Sequence, residues 1–424
     1  MDTGLLHKES PAIMINTDTM ACFLLVVFYS LPFFKWCAEK AMELAGMESL
    51  GIYALLIAVY AIVVVLCALN RKQEVLEFLI LLSVIVAFFI VTYLIHPEYE
   101  YVYTREQYGV LPYVLRPDNG IYAYLFIRLV SKPDKILQSL HISSYFMLAF
   151  SALSLLLALS RGYWLGENSF GEEIHLSYDL NFGFNLLIPV CVFIFFGLQK
   201  KDIKELLLAA FGIGMIFIGG SRGPLLDIFI FCALYFAMTT LGSAHGIRNI
   251  AIAVILGVIL IVFMDQILNA LVSILGALNI NSRTITKLLE GSISEDNGRN
   301  LIWMTAINHI KAHPFGSGAM GARKAIYHVH YVGHPHNLFL ELLIDYGIIL
   351  GPIIIAVMIG GSIYILFSKR TYNWRWVYLI LFAQACSLLT SYTYWHSTGI
   401  WGALAVAVCA LKMRSDKTDQ CENA

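Results

Sequence analysis

The chain has 424 residues, of which 59% are hydrophobic and 13% charged, and its formal net charge is −1. A soluble domain carries about a quarter charged residues, so this composition excludes an ordinary soluble fold and predicts an all-α polytopic membrane protein. The near-zero charge excludes a basic nucleic-acid footprint, and 8 scattered cysteines without a CxxC pair exclude a disulfide framework or a cysteine-based zinc site.

Asp2, Lys8, Glu9 and Asp18 precede the first apolar run, and no small-residue cleavage pattern follows it. That run is therefore expected to be a retained span and not a signal peptide. Runs long enough to cross ~30 Å of hydrocarbon lie near 19–38, 50–69, 75–95, 143–160, 180–198, 203–219, 225–241, 248–268, 345–367, 377–393 and 397–412. A weaker segment at 114–131 is interrupted by Arg116, Pro117, Asp118 and Asn119. Counting it places every short-loop basic cluster on one side: Lys8, Arg71/Lys72, Lys132/Lys135, Lys200/Lys201/Lys204, Arg248, Lys369/Arg370/Arg375 and Lys412/Arg414/Lys417. The positive-inside rule then gives about twelve transmembrane helices with both termini cytoplasmic. No internal repeat or linker divides the chain, so residues 1–424 read as a single membrane domain.

On this topology the opposite face carries the turn at 220–224 and one long external loop, 269–336. In the turn, Pro224 suits the start of a helix and the glycines allow a sharp reversal. Arg222 beside that helix start needs something negative nearby, either Asp227 one turn on or a bound phosphate gripped by its guanidinium. The long loop has helical spacing at Ile302, Trp303, Ala306, Ile307 and Ile310, between a start at 296–299 and a stop at His313-Pro314. An amphipathic helix lying on the outer surface or on the bundle is expected there, with Arg299 at its start and Asp296 as the ordinary partner of that cation. The stretch Gly316 to Gly321 lacks a nucleotide-loop pattern and reads as a flexible hinge leading to Arg323, Lys324 and the following histidines.

The most informative stretch, His334 to Gly347, comes next. Asn337 is a plausible N-cap for the apolar helix after it, which puts His336 just outside the helix at the water interface. First-turn amides there favour an anion, and a histidine can exchange a proton with a hydroxyl near neutral pH, although it could equally be an interfacial anchor. Glu341 and Asp345 share a helix face four residues apart; an ordinary solvated first turn would suit Glu341, whereas the deeper Asp345 requires a partner. Glu341 is rotated well away from His336, so no direct acid–base pair is implied. Arg128 and Asp265 sit within apolar segments and are expected to be buried structural partners.

Three elements in order resemble the O-antigen polymerase/O-antigen ligase superfamily of membrane glycosyltransferases. They are an Arg in a short external turn (Gly220-Ser221-Arg222-Gly223), a helix from Arg299 through Trp303 to His313-Pro314, and His336-Asn337-Leu338-Phe339-Leu340 running to Gly347. Together they cover about the C-terminal half, and the second histidine, His334, departs from the usual pattern. The resemblance implies a bacterial inner-membrane enzyme acting at the periplasmic face without metal or other cofactor. It further implies polyprenyl-diphosphate-linked oligosaccharides as donor and acceptor within the lipid bilayer, with a chain-length regulator and a flippase as protein partners. Arg222 and Arg299 would hold the diphosphate, Arg323, His334 and Asn337 would line the substrate site, and His336 with Glu341 would be catalytic. Polymerase is the preferred reading and ligase the alternative. A lipid-linked sugar flippase is a third reading, but alternating access places polar groups near the midplane, whereas here they gather at one face.

Overall fold

The computed structural model describes residues 16–46, 51–167, 173–176, 179–220, 223–240, 273, 298–330 and 333–422. The expected span at 248–268 with Arg248 and Asp265, the residues Asp296 and Arg222, and most of the first half of the long loop lie outside the described residues. Within the described residues the chain is helical apart from one small hairpin. Six helices are long and apolar enough to cross a membrane, or seven if one bent pair counts as a span.

That bent pair corrects the straight span expected over 19–38. Asn16 caps α1 (Thr17–Tyr29), its side chain accepting from the amides of Asp18 and Thr19. Its 13 residues cover only ~20 Å. At Ser30 the chain turns by 86° into α2 (Leu31–Leu44), which begins with Pro32 in its first turn. A proline there lacks the N–H that would continue the ladder of α1, so the corner falls where the sequence allows it. Two crossing helices follow, α3 (Gly51–Leu69) and α4 (Lys72–Ile95). Most of their surface is exposed and apolar, including Ile57, Val64, Leu79, Ile80, Val84 and Leu94, as a lipid-facing helix requires.

After a single turn, α5 (Glu100–Tyr103), the weak segment at 114–131 is not one continuous helix. A π-turn at Leu111–Leu115 gives way to α6 (Tyr122–Val130), nine residues that are all buried. It packs against α1, α4 and the final helix, so its polar Arg128 never meets lipid. Arg128 donates to Glu77 (2.6 and 3.2 Å) and to the Cys409 sulfur (3.0 Å), the buried structural partnership expected for it.

The long α7 (Pro133–Arg161) ends at Gly162 in the left-handed region, φ 81°, and the chain then forms a hairpin. Strands β1 (Trp164–Glu167) and β2 (Glu173–Leu176) pair antiparallel with Trp164 opposite Leu176. This hairpin is the one departure from an all-α chain among the described residues. Next come α8 (Leu180–Asn185), α9 (Leu187–Lys200), α10 (Ile203–Gly219) and α11 (Gly223–Thr240). The second half of the long loop holds α12 (Arg299–Ala312) and α13 (Gly321–Ile326), followed by α14 (Leu338–Phe367), α15 (Arg375–Cys386) and α16 (Thr398–Glu422). The last two have apolar cores of 10–17 residues, below the length of a full crossing, so twelve complete spans do not emerge from the described residues.

The bundle has two chemically distinct ends. At one, Asp18 pairs with Arg71 and Lys132 (2.5 Å each), and Glu77 pairs with both Arg128 and Lys412. The short-loop basic residues at 71, 132 and 412 therefore gather together. From Arg71, α4 runs to Thr92, whose hydroxyl accepts the Ala319 amide at 2.9 Å. The length of α4 thus separates this basic end from the end that carries the histidine loop.

Candidate functional site

The site is organised by a break in α14. Gly347 has φ 77° and ψ 179°, so the helix over 338–346 stops and a second one starts at Ile348. Such a conformation is almost confined to glycine. A broken helix leaves unpaired backbone groups, which are costly away from water. The stretch after α12 supplies their partners: Ser317 N donates to Ile344 O (2.8 Å), Gly318 N to Asp345 O (3.0 Å), and Ile348 N to Pro314 O (2.8 Å). The segment expected to be a flexible hinge is therefore a docked strap. Tyr99 and Tyr103 hydroxyls bind its carbonyls at Ser317 and Ala319 (3.0 and 2.9 Å), fixing it from the other side. The twenty residues after the break, ~30 Å of helix, provide the apolar crossing, so the span begins after Gly347 and not at 345.

Two carboxylates sit on the short half-helix before the break, and both are buried, at 3% exposure for Glu341 and 2% for Asp345. The solvated first turn allowed for Glu341 is not what forms. Glu341 Oε1 accepts from the Thr393 hydroxyl. Asp345 accepts from the Ala322 amide (3.0 Å) and the Tyr394 hydroxyl (2.7 Å). Asp345 is thereby placed at the first turn of α13, where an anion is favoured by the helix amides.

That short helix carries Arg323, which is 3% exposed. Its guanidinium donates to Tyr108 O (2.6 Å) and lies 4.6 Å from the Tyr113 ring centre and 5.5 Å from that of Tyr108. Burial lowers its pKa, partly offset by Tyr113 and Glu341. No carboxylate forms an ion pair with it among the described residues. Gly333, φ 75°, passes over its stem: a Cβ there would lie 2.9 Å from Arg323 Cγ.

Three histidines follow. Ring centres are 4.3 Å apart for His334 and His336, 5.0 Å for His330 and His336, and 6.1 Å for His330 and His334. Both nitrogens of His334, and Nδ1 of His330 and His336, are buried without a hydrogen-bond partner among the described residues. His336 takes φ 51°, a left-handed turn histidine tolerates, and Asn337 then caps α14, accepting from Phe339 N (3.0 Å) and Leu340 N (3.2 Å). The cap is as expected; His336 itself is half-buried, its ring against those of His330 and His334. Burial, His330 and Arg299 push its pKa down to about 4. Burial, His336, Arg323 and His330 hold His334 well below 6.5. Burial also lowers His330. All three are held neutral at pH 7, chiefly by burial, which disfavours the charged imidazolium. No group of three or more His, Cys, Asp or Glu is arranged to hold a metal ion among the described residues.

Helix α12 packs on α14 and α13 through Ile302 and Ala306, and Trp303 Nε1 binds Pro335 O (2.9 Å), locking the His-Pro-His turn. Ile307, expected on the packed face, is 43% exposed. Arg299 is half-buried and donates to Thr390 O at 3.0 Å. Arg299, His336, His334, Arg323 and Glu341 thus form one chain of interacting groups, capped by Asn337. Glu341 accepts from Thr393 and acts on Arg323 only through charge, and no hydrogen bond joins it to His336 among the described residues. Arg222 lies outside the described residues, but its flanks are fixed: a Cβ on Gly219 would meet the Phe182 ring at 2.6 Å and one on Gly223 the Phe184 ring at 2.8 Å. Asp227, its alternative partner, is fully buried with neither oxygen bonded among the described residues.

Sequence reasoning missed His330, Thr393, Tyr394, Tyr108 and Tyr113. His330 had a local signal in the spacing of His328, His330, His334 and His336. The others lie roughly 50 or 200 residues away in the chain and become visible only through contact.

Neither a curated protein nor a solved structure matches the chain. A family model described as O-Antigen ligase matches residues 207–355, an interval that contains the 219–223 turn, α12, the strap, the three histidines and the break at Gly347. That match, over about a third of the chain, supports the O-antigen polymerase/ligase superfamily and makes residues 207–355 similar to its O-Antigen ligase domain.

Proposed function

We propose that the protein is an O-antigen polymerase-type glycosyltransferase. It transfers a growing glycan from a polyprenyl diphosphate to a hydroxyl of a new lipid-linked repeat unit, at the periplasmic face of the bacterial inner membrane. The observation that carries this reading is a cluster of neutral, unpartnered histidines between Arg299 and Arg323. Such a pocket brings two guanidinium groups close to proton acceptors without protons. A diphosphate with a nearby hydroxyl supplies both complements.

In the reaction the acceptor oxygen attacks the anomeric carbon from the face opposite the diphosphate. The new C–O bond forms as the bond to phosphate breaks, and the configuration inverts. Polyprenyl diphosphate leaves with the bonding electron pair, and Arg299, together with the Arg222 implied by the family resemblance, stabilises its growing charge. The hydroxyl proton passes to His336. With a pKa of about 4 it is a weak base in the empty site. A bound diphosphate beside it restores basicity, because an anion favours the imidazolium. Proton acceptance is thus tied to donor binding. Arg323, His334 and Asn337 shape the pocket, and Glu341 supports Arg323 electrostatically without an ion pair.

The description of the matched family favours a second reading, a ligase that transfers the glycan to lipid A-core. A deletion strain separates the two. Loss of a polymerase leaves single repeats on lipid A-core, loss of a ligase leaves long chains on the polyprenyl carrier, and loss of a flippase leaves lipid-linked repeats inside the cell. Complementation with His336→Ala should reproduce the single-repeat profile; normal polymer from that variant would overturn the assignment of His336.

A further inference from the structure

One cavity among the described residues lies away from the histidines. It lies under the hairpin, between the end of α7 and α8, with a volume of about 250 Å³. Both walls follow from helix periodicity. Ser151, Ser154, Ala158 and Arg161 recur at spacings of three and four, so they share one face of α7. Asp179, Phe182 and Asn185 recur every three residues on and beside α8 and form the facing wall. Gly162 turns the chain so that β1 lays Tyr163 and Trp164 across the top. The Trp164 ring is 4.8 Å from Phe182, tilted by 50°, and only partly buried.

We propose that this cavity is a saccharide-binding site that holds one uncharged sugar ring of the glycan during transfer. Three features select that ligand. The lining combines flat aromatic surface with separated polar groups, which matches the apolar C–H faces and the equatorial hydroxyls of a pyranose. Arg161 and Ser154 can donate, Asp179 can accept, and Asn185 can do both. The presence of Asp179 disfavours an anion, and the same polar groups disfavour an acyl chain, which would leave them unpaired. The volume falls just below the ~300–1,000 Å³ of pockets for drug-sized ligands, which suits one ring and not a folded oligosaccharide.

Position supports the same ligand. Asn181 Oδ1 accepts from the Tyr392 hydroxyl at 2.7 Å, and Phe184 packs on Tyr392 at 4.8 Å. Tyr392 immediately precedes Thr393 and Tyr394, which hold Glu341 and Asp345. Through Phe182 and Phe184, α8 also packs against the glycines on either side of Arg222. The cavity therefore opens at the same end of the bundle as the histidines, one short helix away. A glycan whose reacting sugar lies at His336 can place a more distant sugar under the hairpin. Ring binding there would set which repeat unit is accepted without touching the reacting atoms.

The inference rests on the glycosyltransferase reading for its role, but its test does not depend on turnover. Full-length protein in nanodiscs is mixed with the repeat-unit oligosaccharide released from the host's own glycan, and saturation transfer to sugar protons is measured by NMR. Wild type and His336→Ala should give the same signal. Trp164→Ala and Asn185→Ala should reduce it at least five-fold, and Trp164→Phe should retain most of it. Because Trp164→Ala could loosen the hairpin, Asn185→Ala and Ser154→Ala, checked for unchanged thermal melting, carry the test independently. In turnover assays the same variants should raise KM for the lipid-linked substrate with little change in kcat, the opposite split from His336→Ala. An equal signal in wild type and all cavity variants, or no signal in wild type, overturns the proposal. If cavity binding holds while a His336→Ala strain makes normal polymer, the saccharide site stands and the catalytic reading fails.

Discussion

Gly347 and Gly316 approach so closely that a methyl group on either would lie within 2.7 Å of the other's backbone nitrogen. The contact joins the break in α14 to the strap after α12, and it sets where the half-helix bearing Glu341 and Asp345 points. Gly347→Ala should therefore do more than introduce backbone strain of about 1–3 kcal/mol. It should push the strap away and uncouple Asp345 from the Ala322 amide. The expected result is a lower apparent melting temperature in detergent together with loss of polymer in a complemented deletion strain. Unchanged melting would show that the two segments are not locked as described.

Arg323→Lys should fail although the charge is kept. A lysine ammonium cannot lie flat over Tyr113 and Tyr108 while donating in plane to the Tyr108 carbonyl. Loss of a preorganised cation in a water-excluded site lowers kcat by ~10²-fold or more. Donor turnover in nanodiscs is the measurement, and wild-type rates in Arg323→Lys would assign the residue to scaffold alone.

How much of this was legible beforehand depends on the range of the interaction. Composition and apolar run length disclosed a helical membrane protein, and the Asn337 cap was readable because capping is a two- or three-residue event. Arg128 was readable as a buried partner, since lipid leaves a charge few alternatives. The corner at Ser30 and the break at Gly347 were not readable. Hydropathy is blind to direction, and both bends occur inside apolar sequence. The strap was misjudged for a related reason: glycines that look permissive in isolation are here required by close backbone approach. The tyrosine surround of Arg323 and the Thr393–Glu341 bond join residues far apart in sequence, which no local pattern reports.

Acid should loosen the fold through the histidines. His336 titrates near 4 in the folded chain and His334 also lies below 6.5, the ordinary value to which both return on unfolding. Between about 4 and 6.5 the unfolded state binds more protons at His336, so the contribution of that group to stability falls as pH drops through this window, by at most ~1.4 kcal/mol per pH unit. The His336 contribution to the apparent melting temperature, read as wild type minus His336→Gln, should be flat from pH 8 to 7 and fall from pH 6.5 to 4.5. Identical slopes in variant and wild type would mean that His336 is not held neutral by its surroundings.

Thr393 provides the hydroxyl that Glu341 accepts, and it is only 1% exposed. Thr393→Val keeps the shape and removes the donor, so a buried carboxyl oxygen loses its partner at a cost of about 1–3 kcal/mol. Thr393→Ser restores the donor and should recover the melting temperature. If Glu341 serves to hold Arg323, the valine variant should lower kcat by weakening that support, while donor binding through Arg299 is kept. A Glu341→Gln variant keeps the shape, and its amide oxygen still accepts from Thr393, but the ionisable carboxyl near Arg323 is gone. It should melt near wild type and turn over slowly. Full activity in Glu341→Gln would remove Glu341 from the catalytic group and leave it a packing residue of the half-helix.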